Sequence, residues 1–427
     1  MDISDLYELF IHHRQVSTDS RNCPKNGLFF ALKGARFDGN KYAEEALKAG
    51  AAYAIIDDPA YAMGDRCILV DNTLKTLQQL AHRHRKALGT PLIAVTGTNG
   101  KTTTKELLAA VLSTKYNVLY TEGNLNNEIG VPLTLLRLTI DHEMAVVEMG
   151  ANHPGEIKAL CEIAAPNYGV ITNVGQAHLE GFGSFEGVLH TKGELYDYLR
   201  HTHGKIFIQK ENAALQSIAK GLEQITYGQV EGDFAVGHVV SADPYLTFDW
   251  KQQGKVHTVE THLIGNYNLN NLLVAVAAGR YFKIPAERIS RAIAAYEPTN
   301  HRSQLLQTAR NEVIVDAYNA NPSSMQAALD NFARLTCQPK AVILGDMYEL
   351  GEQSDALHQE IVDQLQTTGI DTVWLCGPHF AQTKNEYKTF PTTAELQDYL
   401  KAHPLEGYHI LLKGSHAMAF ESLIEWL

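Results

Sequence analysis

The chain has 427 residues, room for two to four domains at roughly 100–200 residues each. Its 36 basic and 48 acidic residues give a net charge of −12 with no basic block, which argues against a nucleic-acid partner, since phosphate-backbone binding needs concentrated positive surface. No apolar run approaches the roughly 18 residues of a membrane span, and acids stand in MDISDLYELF where a signal peptide needs bases, so a cytoplasmic protein without membrane insertion is expected.

Residues 1–88 read as a small α/β unit, with short strands at 27–32, 51–56 and 67–70 and helices near 42–49 and 74–88. Two polar clusters lie between them, STDSR at 17–21 and KGARFDG at 33–39. Turn chemistry alone accounts for both. Each also carries an arginine, Arg21 or Arg36, beside small residues, which suits a phosphate or diphosphate.

Residues 91–105, PLIAVTGTNGKTTTK, then give the sharpest local pattern in the chain: an apolar strand, a loop bracketed by Gly97 and Gly100, and an amphipathic helix opening at Lys101. Glycines let a backbone approach a phosphate, amides at a helix start point at the anion, the lysine reaches the β/γ-phosphates and the Thr102 hydroxyl suits Mg²⁺. Val95 stands where G-x-x-x-x-G-K-[ST] has its first glycine, so the loop is a variant of that pattern. A nucleoside triphosphate site is expected here.

Strand-helix alternation continues to about residue 300, with strands at 117–123, 143–150, 168–175 and 204–209 and helices at 185–199 and 269–282. That order implies a mostly parallel sheet with helices on both faces. Period-two alternation within 228–263 and a turn at Gly254 point to an attached antiparallel hairpin. Polar residues gather at strand ends, where parallel sheets bind ligands: Glu148, then Thr172 through His178, with Lys192-Gly193-Glu194 on the next helix. A carboxylate and an imidazole can serve a divalent cation. Spacing alone favours for His178 a polar role satisfied within its loop over a metal ligand.

A third unit begins near residue 301, with strands at 313–319, 340–347, 372–377 and 409–415 and helices at 322–335, 354–367, 394–401 and 416–426, a doubly wound pattern. Asn321 followed by Pro322 is a good helix start. The five cysteines, odd in number and widely spaced, form neither a disulfide framework nor a CxxC site. The expected fold is therefore α/β with three domains: 1–88, a small α/β substrate domain; 89–300, a central nucleotide-binding domain; and 301–427, a Rossmann-like domain.

With these stretches in hand, the chain resembles the Mur ligase family across all three units. The resemblance rests on TGTNGKTTTK at 96–105, TEGNLNNEIGVPLTLL at 121–136, VEMGANHPGEI at 147–157, NVGQAHLEGFGS at 173–184, DAYNANPSSM at 316–325, LGDMYELGEQS at 344–354 and KGSHAM at 413–418. It implies an ATP-dependent amide ligase, acting as a monomer with two Mg²⁺ ions, that adds D-alanyl-D-alanine to UDP-N-acetylmuramoyl-tripeptide. On that basis Gly97, Thr98, Asn99, Gly100, Lys101, Thr102 and Thr103 hold ATP phosphates. Asn268 and Asn271 lie on the adenine side, and Arg302 and Asp316 reach the nucleotide from the third domain. Thr102 and Glu148 would hold one Mg²⁺, and His178 a second, joined by Lys192 if it is carbamylated. Lys101, Glu148, His178 and Lys192 are then the catalytic set. Ser20, Arg21 and Gly34 would take the UDP-sugar; Asn124, Asn126 and Asn127 belong to the substrate-binding set, and Asn319, Asn321 and Ser415 would lie near the dipeptide. Three positions depart from the family pattern: Tyr267 stands where histidine is usual, His301 where glycine is usual and His416 where arginine is common. A P-loop kinase or NTPase with another acceptor, and a non-catalytic nucleotide-binding partner protein, are the rival classes.

Overall fold

The computed structural model describes residues 1–176, 179–299, 302–370 and 372–427. Helix Ile3–His13 opens the chain, capped by the Asp2 carboxylate, which accepts from the Ser4 and Asp5 amides, and anchored by buried Leu6 and Phe10. This helix is additional to the elements expected from the sequence. Four short parallel strands follow in the order β1-β2-β3-β4: β1 (Val16–Ser17), β2 (Leu28–Phe30), β3 (Tyr53–Ile56) and β4 (Cys67–Leu69). The helix Thr73–Leu88 runs from an Asn72 cap to left-handed Gly89 and buries Leu77, Leu80 and Ala81. Its Arg85 donates to the carbonyls of Ala164 and Ala165 and to Asn167 Oδ1, fixing this unit to the central one.

The central sheet has nine strands: β5 (Leu92–Thr96), β6 (Val118–Tyr120), β7 (Met144–Glu148), β8 (Tyr168–Ile171), β9 (Lys205–Gln209), β10 (Glu223–Gly228), β11 (Ala235–Ala242), β12 (Tyr245–Gln252) and β13 (Lys255–Ile264). Their order is β13-β12-β11-β10-β9-β8-β5-β7-β6. Pairings from β6 across to β11 are parallel, and β11-β12-β13 are antiparallel. β5 is buried along its whole length because helices cover both faces of the sheet. The chain leaves β5 towards β7 and β6, then crosses to β8 on the other side, so the carboxyl end of β5 is the switch point where such sheets bind ligands.

The predicted hairpin is a three-stranded antiparallel extension. Leu246, Phe248 and Trp250 of β12 are buried while Tyr245, Thr247 and Asp249 are only half-buried, as the period-two pattern requires. Gln253 and Gly254 both take positive φ, 51° and 78°, the geometry of a two-residue type I′ turn.

The last unit holds a six-stranded sheet: β14 (Gln304–Gln307), β15 (Glu312–Asp316), β16 (Lys340–Gly345), β17 (Thr372–Cys376), β18 (Lys388–Phe390) and β19 (His409–Lys413), in the order β14-β15-β19-β16-β17-β18. All neighbours are parallel except β14 and β15. The helix expected over 416–426 is instead two 3₁₀ pieces, His416–Met418 and Phe420–Trp426. Ala419 between them is left-handed, and the Thr393 hydroxyl takes the Met418 carbonyl that a continuous helix would use. Three α/β units in chain order, with a doubly wound last sheet, bear out the expected fold class.

Candidate active site

β5 delivers the chain to the glycine loop, and helix Lys101–Leu112 carries it away. Both glycines are sterically required. Gly97 has φ 140°, and a Cβ there would sit 2.0 Å from Thr172 Oγ1; Gly100 has φ 76°, and a Cβ would sit 2.7 Å from Asn271 Oδ1. The loop is gripped from the end of β8. Asn173 accepts the Asn99 N–H through Oδ1 at 3.0 Å and donates to the Asn99 carbonyl through Nδ2 at 3.0 Å. Thr172 Oγ1 donates to that same carbonyl at 2.6 Å, the Thr98 N–H donates to the Asn173 carbonyl, and the Gly175 N–H donates to Thr98 Oγ1. Asn173 falls within the polar run Thr172 through His178, where the sequence alone assigns it no role of its own. Its one signal was its place at the end of a strand that proves to neighbour β5.

Lys101 lies back over its own loop, donating from Nζ to the carbonyls of Gly97 and Thr98 at 2.8 Å each. Burial of the amine lowers its pKa to about 8, against the opposing attraction of Glu148. Thr102 Oγ1 donates to Glu148 Oε2 at 2.9 Å, and Asn126 Nδ2 donates to Glu148 Oε1 at 2.8 Å. The Glu148 amide is fixed by Thr121 Oγ1 at 3.0 Å. Thr102 and Glu148 are buried side by side and present hard oxygens at the phosphate end of the loop, a donor set that fits Mg²⁺. Among the described residues no three or more His, Cys, Asp or Glu side chains form a metal-sized cluster. Such a cage is foreign to Mg²⁺ at a nucleotide, which takes one or two carboxylates and completes its shell with phosphate oxygens and water. His178 lies outside the described residues.

Lys192, on helix Phe185–Thr202, is 2% exposed. Its Nζ donates to the Ala151 carbonyl at 3.3 Å and stands 5.1 Å from the Phe182 ring centroid. Burial, helped by the charge of Lys101 and opposed by Glu156 and Glu194, lowers its pKa to about 7. Two residues on, Glu194 caps helix Glu156–Ala164, accepting from the Gly155 and Lys158 amides at 2.7 and 2.8 Å. Lys192 therefore has no carboxylate bonded to it within its own Lys-Gly-Glu segment.

The third unit closes a cavity of about 850 Å³ over this loop. Asn268 and Asn271 are buried on one wall, Asn271 Nδ2 donating to Asn268 Oδ1 at 2.8 Å while Asn271 Oδ1 accepts from Thr104 Oγ1 at 3.1 Å. Asp316 forms an ion pair with Lys413 at 2.5 Å, and Lys413 also donates to the Asn319 carbonyl. The Arg302 guanidinium stacks 3.8 Å from the Tyr318 ring centroid. Two of the departures have local accounts. Tyr267, whose pKa burial raises, bonds through its hydroxyl to Ser303 Oγ at 3.0 Å, and His416 stacks on Tyr318, the ring that Arg302 also covers, at 5.7 Å and 12°. His301 lies outside the described residues.

Arg302, Asp316, Asn319 and Lys413 thus join the loop, Glu148 and Asn126 in one cavity, together with Asn127 and, from the first unit, Gln78. Asn127 Oδ1 also accepts the Ile129 and Gly130 amides at 3.1 and 2.9 Å, just ahead of helix Gly130–Leu135. Asn321 is the N-cap of helix Pro322–Arg334, with Ser324 completing a capping box. Ser415 is buried and accepts from the Tyr348 amide. Ser20, Arg21, Gly34 and Asn124 are not among the cavity-lining residues. Ser20 is buried near Glu45, Arg21 is exposed and paired with Asp19 at 2.9 Å, and Gly34 and Asn124 are exposed.

Comparison with known proteins matches residues 12–85 to the Mur ligase family catalytic domain, 95–279 to the Mur ligase middle domain and 301–416 to the Mur ligase glutamate ligase domain. The chain belongs to the Mur ligase family. The UDP-N-acetylmuramoyl-tripeptide–D-alanyl-D-alanine ligase of Bacillus subtilis is 36% identical over 435 residues, covering 98% of this chain and 94% of that protein. The ligase of the same name from Escherichia coli is 34% identical over 424 residues, covering 96% and 93%. Among solved structures, MurF from Acinetobacter baumannii superposes with a TM-score of 0.87 at 30% identity, covering 96% of this chain and 92% of that one. MurF ligase from Thermotoga maritima in complex with ADP gives 0.86 at 28% identity, covering 97% of each. This Mur ligase chain therefore shares nearly its whole length, loop and third sheet included, with ligases of that name.

Proposed function

We propose that this Mur ligase joins D-alanyl-D-alanine to UDP-N-acetylmuramoyl-tripeptide, using ATP, as a cytoplasmic monomer in peptidoglycan precursor synthesis. One observation carries most of the reading: a phosphate loop whose Thr102 abuts Glu148 opens into a cavity finished by residues of the third sheet. In this reading the UDP-sugar belongs to 1–88, with Ser20, Arg21 and Gly34, ATP to 89–300, and the dipeptide to 301–427, with Asn319 and Ser415.

A carboxylate is a poor electrophile, so the tripeptide's terminal carboxylate first takes the γ-phosphoryl group of ATP to become an acyl phosphate, with ADP as the leaving group. The dipeptide amine then attacks the acyl carbon, the amide bond forms and inorganic phosphate leaves. Lys101 and the loop amides hold the phosphates and offset charge on the transferring group. For Lys101 this requires the amine to exchange the Gly97 and Thr98 carbonyls for phosphate oxygens. Asn173 and Thr172 keep the loop backbone in the conformation that aims those amides. Thr102 and Glu148 would hold Mg²⁺, which supplies charge neutralisation and in-line orientation when bound.

Lys192 as an ammonium would repel a second cation. Held near pKa 7, its neutral amine can add to CO₂, forming an N–C bond and releasing a proton, and the resulting carbamate is an anion suited to Mg²⁺. Asn268 and Asn271 brace the loop from the adenine side, and Arg302 and Asp316 reach the nucleotide across the cavity.

The test is phosphate release from purified protein with ATP and Mg²⁺, adding tripeptide substrate and D-alanyl-D-alanine singly and together. Release only with both, alongside a UDP-pentapeptide mass, is expected. Release without the dipeptide would replace this reading with an NTPase or a ligase for another acceptor.

A further inference from the structure

We infer that Asn99 and Asn321 form a latch between the nucleotide loop and the third domain, so that filling the loop seats the start of helix Pro322–Arg334. This deepens the ligase reading above and rests on it for its catalytic consequence.

The backbone of Asn99 is already spoken for on both sides by Thr172 and Asn173. Its side chain is thereby turned out of the loop, and it meets a residue 222 positions later. Asn321 Nδ2 donates to Asn99 Oδ1 at 2.8 Å, and Asn99 Nδ2 lies 3.4 Å from Asn321 Oδ1, a reciprocal amide pair. Asn321 Oδ1 also accepts the Ser324 amide at 2.9 Å, and Asn321 is 3% exposed. Its polar atoms are therefore committed to a helix cap and to the loop, which makes Asn321 a positioning residue for the third domain in place of a direct dipeptide contact.

A second contact docks the same helix start. Ser323 Oγ accepts from the Gln176 amide at 3.2 Å and lies 2.8 Å from where a Cβ on Gly175 would stand, so the approach depends on glycine at that position. Gly175 in turn donates to Thr98 Oγ1 inside the loop. Both contacts trace back to the loop's own residues. A phosphate that orders Thr98 and Asn99 must therefore also order the surface on which Asn321 and Ser323 rest.

The discriminating experiment is hydrogen–deuterium exchange with a non-hydrolysable ATP analogue and Mg²⁺, comparing wild type, Asn99→Ala and Asn321→Ser. Serine keeps a capping oxygen but is too short to reach Asn99. In wild type the analogue should slow exchange both at the start of helix Lys101–Leu112 and over residues 322–326. In either variant the first slowing should persist and the second should fall by about fivefold or more. Alongside it, each variant should lower kcat/KM for the dipeptide by about tenfold, and the double variant should lose about tenfold rather than a hundredfold, as coupled partners do. Undiminished protection of 322–326 in Asn99→Ala, or losses that multiply, would overturn the latch. Because the exchange measurement needs no acceptor, a failure of the dipeptide assignment would leave it readable.

Discussion

Lys101 and Lys192 have opposite needs. Lys101 must be charged to hold phosphates, and its pKa of about 8 keeps it mostly protonated at neutral pH. Lys101→Ala should lose on the order of 10³-fold in kcat, the scale of removing a focused electrostatic contact, and a steady-state assay near wild-type rate would refute the site. Lys192 must be neutral to take up CO₂. Its folded pKa of about 7 lies below the unfolded value of about 10.4, so folding expels a proton between the two, and the reactive amine is present above about pH 7 and lost as pH falls through it. Activity in CO₂-depleted buffer should therefore fall and be restored by bicarbonate, with the restoration weakening below pH 7. A ¹³C carbamate signal from labelled bicarbonate, absent in Lys192→Ala, is the direct check. A fully active Lys192→Ala would remove the carbamate from the mechanism.

Elements built from neighbouring residues could be read in advance. The β5–loop–helix unit follows from an apolar run, two glycines and Lys-Thr within fifteen positions, and Gly97→Ala should confirm why. A Cβ 2.0 Å from Thr172 Oγ1 at φ 140° cannot be accommodated without moving the loop, so nucleotide affinity measured by calorimetry should fall by at least about tenfold, with stability lowered by about 1–3 kcal/mol. Unchanged affinity would mean that the loop conformation is not the binding one. Features made by distant residues stayed hidden. The Asn173 clamp spans 74 positions and the Asn321 contact 222, and nothing in either local sequence marks the partner. The segment 416–426 has a helical pattern, yet a carbonyl taken by Thr393 breaks it, a contact 25 residues away. Helix Ile3–His13 is legible in the Asp2 cap and the Leu6–Phe10 spacing, although the acids of that stretch bear on the sequence reading only by arguing against a signal peptide. Ser20, Arg21 and Gly34 come from two polar clusters of the first unit and do not line this cavity, and no local pattern marks how that unit's sheet is set against the others.

Across the whole molecule, the cavity has walls from separate sheets, and ligand binding should report on their union. A ligand that binds the native state adds about 2.7 kcal/mol at a hundredfold excess over Kd, shared by every unit that it touches. If the nucleotide bridges the central sheet and the Arg302–Asp316 wall, an ATP analogue should raise the calorimetric unfolding temperature of both units. Tyr267→Phe separates the two effects. It deletes the hydroxyl that meets Ser303 Oγ at 3.0 Å, while Ser303 itself leans on Asp316 through its amide at 3.3 Å. A buried hydroxyl left without its partner costs about 1–3 kcal/mol, here at the junction of the two units. In that variant the central transition should still rise with analogue, whereas the rise of the C-terminal one should shrink. A wild-type protein in which only the central transition moves would show that the nucleotide stops at the loop, and Arg302 and Asp316 would then serve the architecture of the third sheet alone.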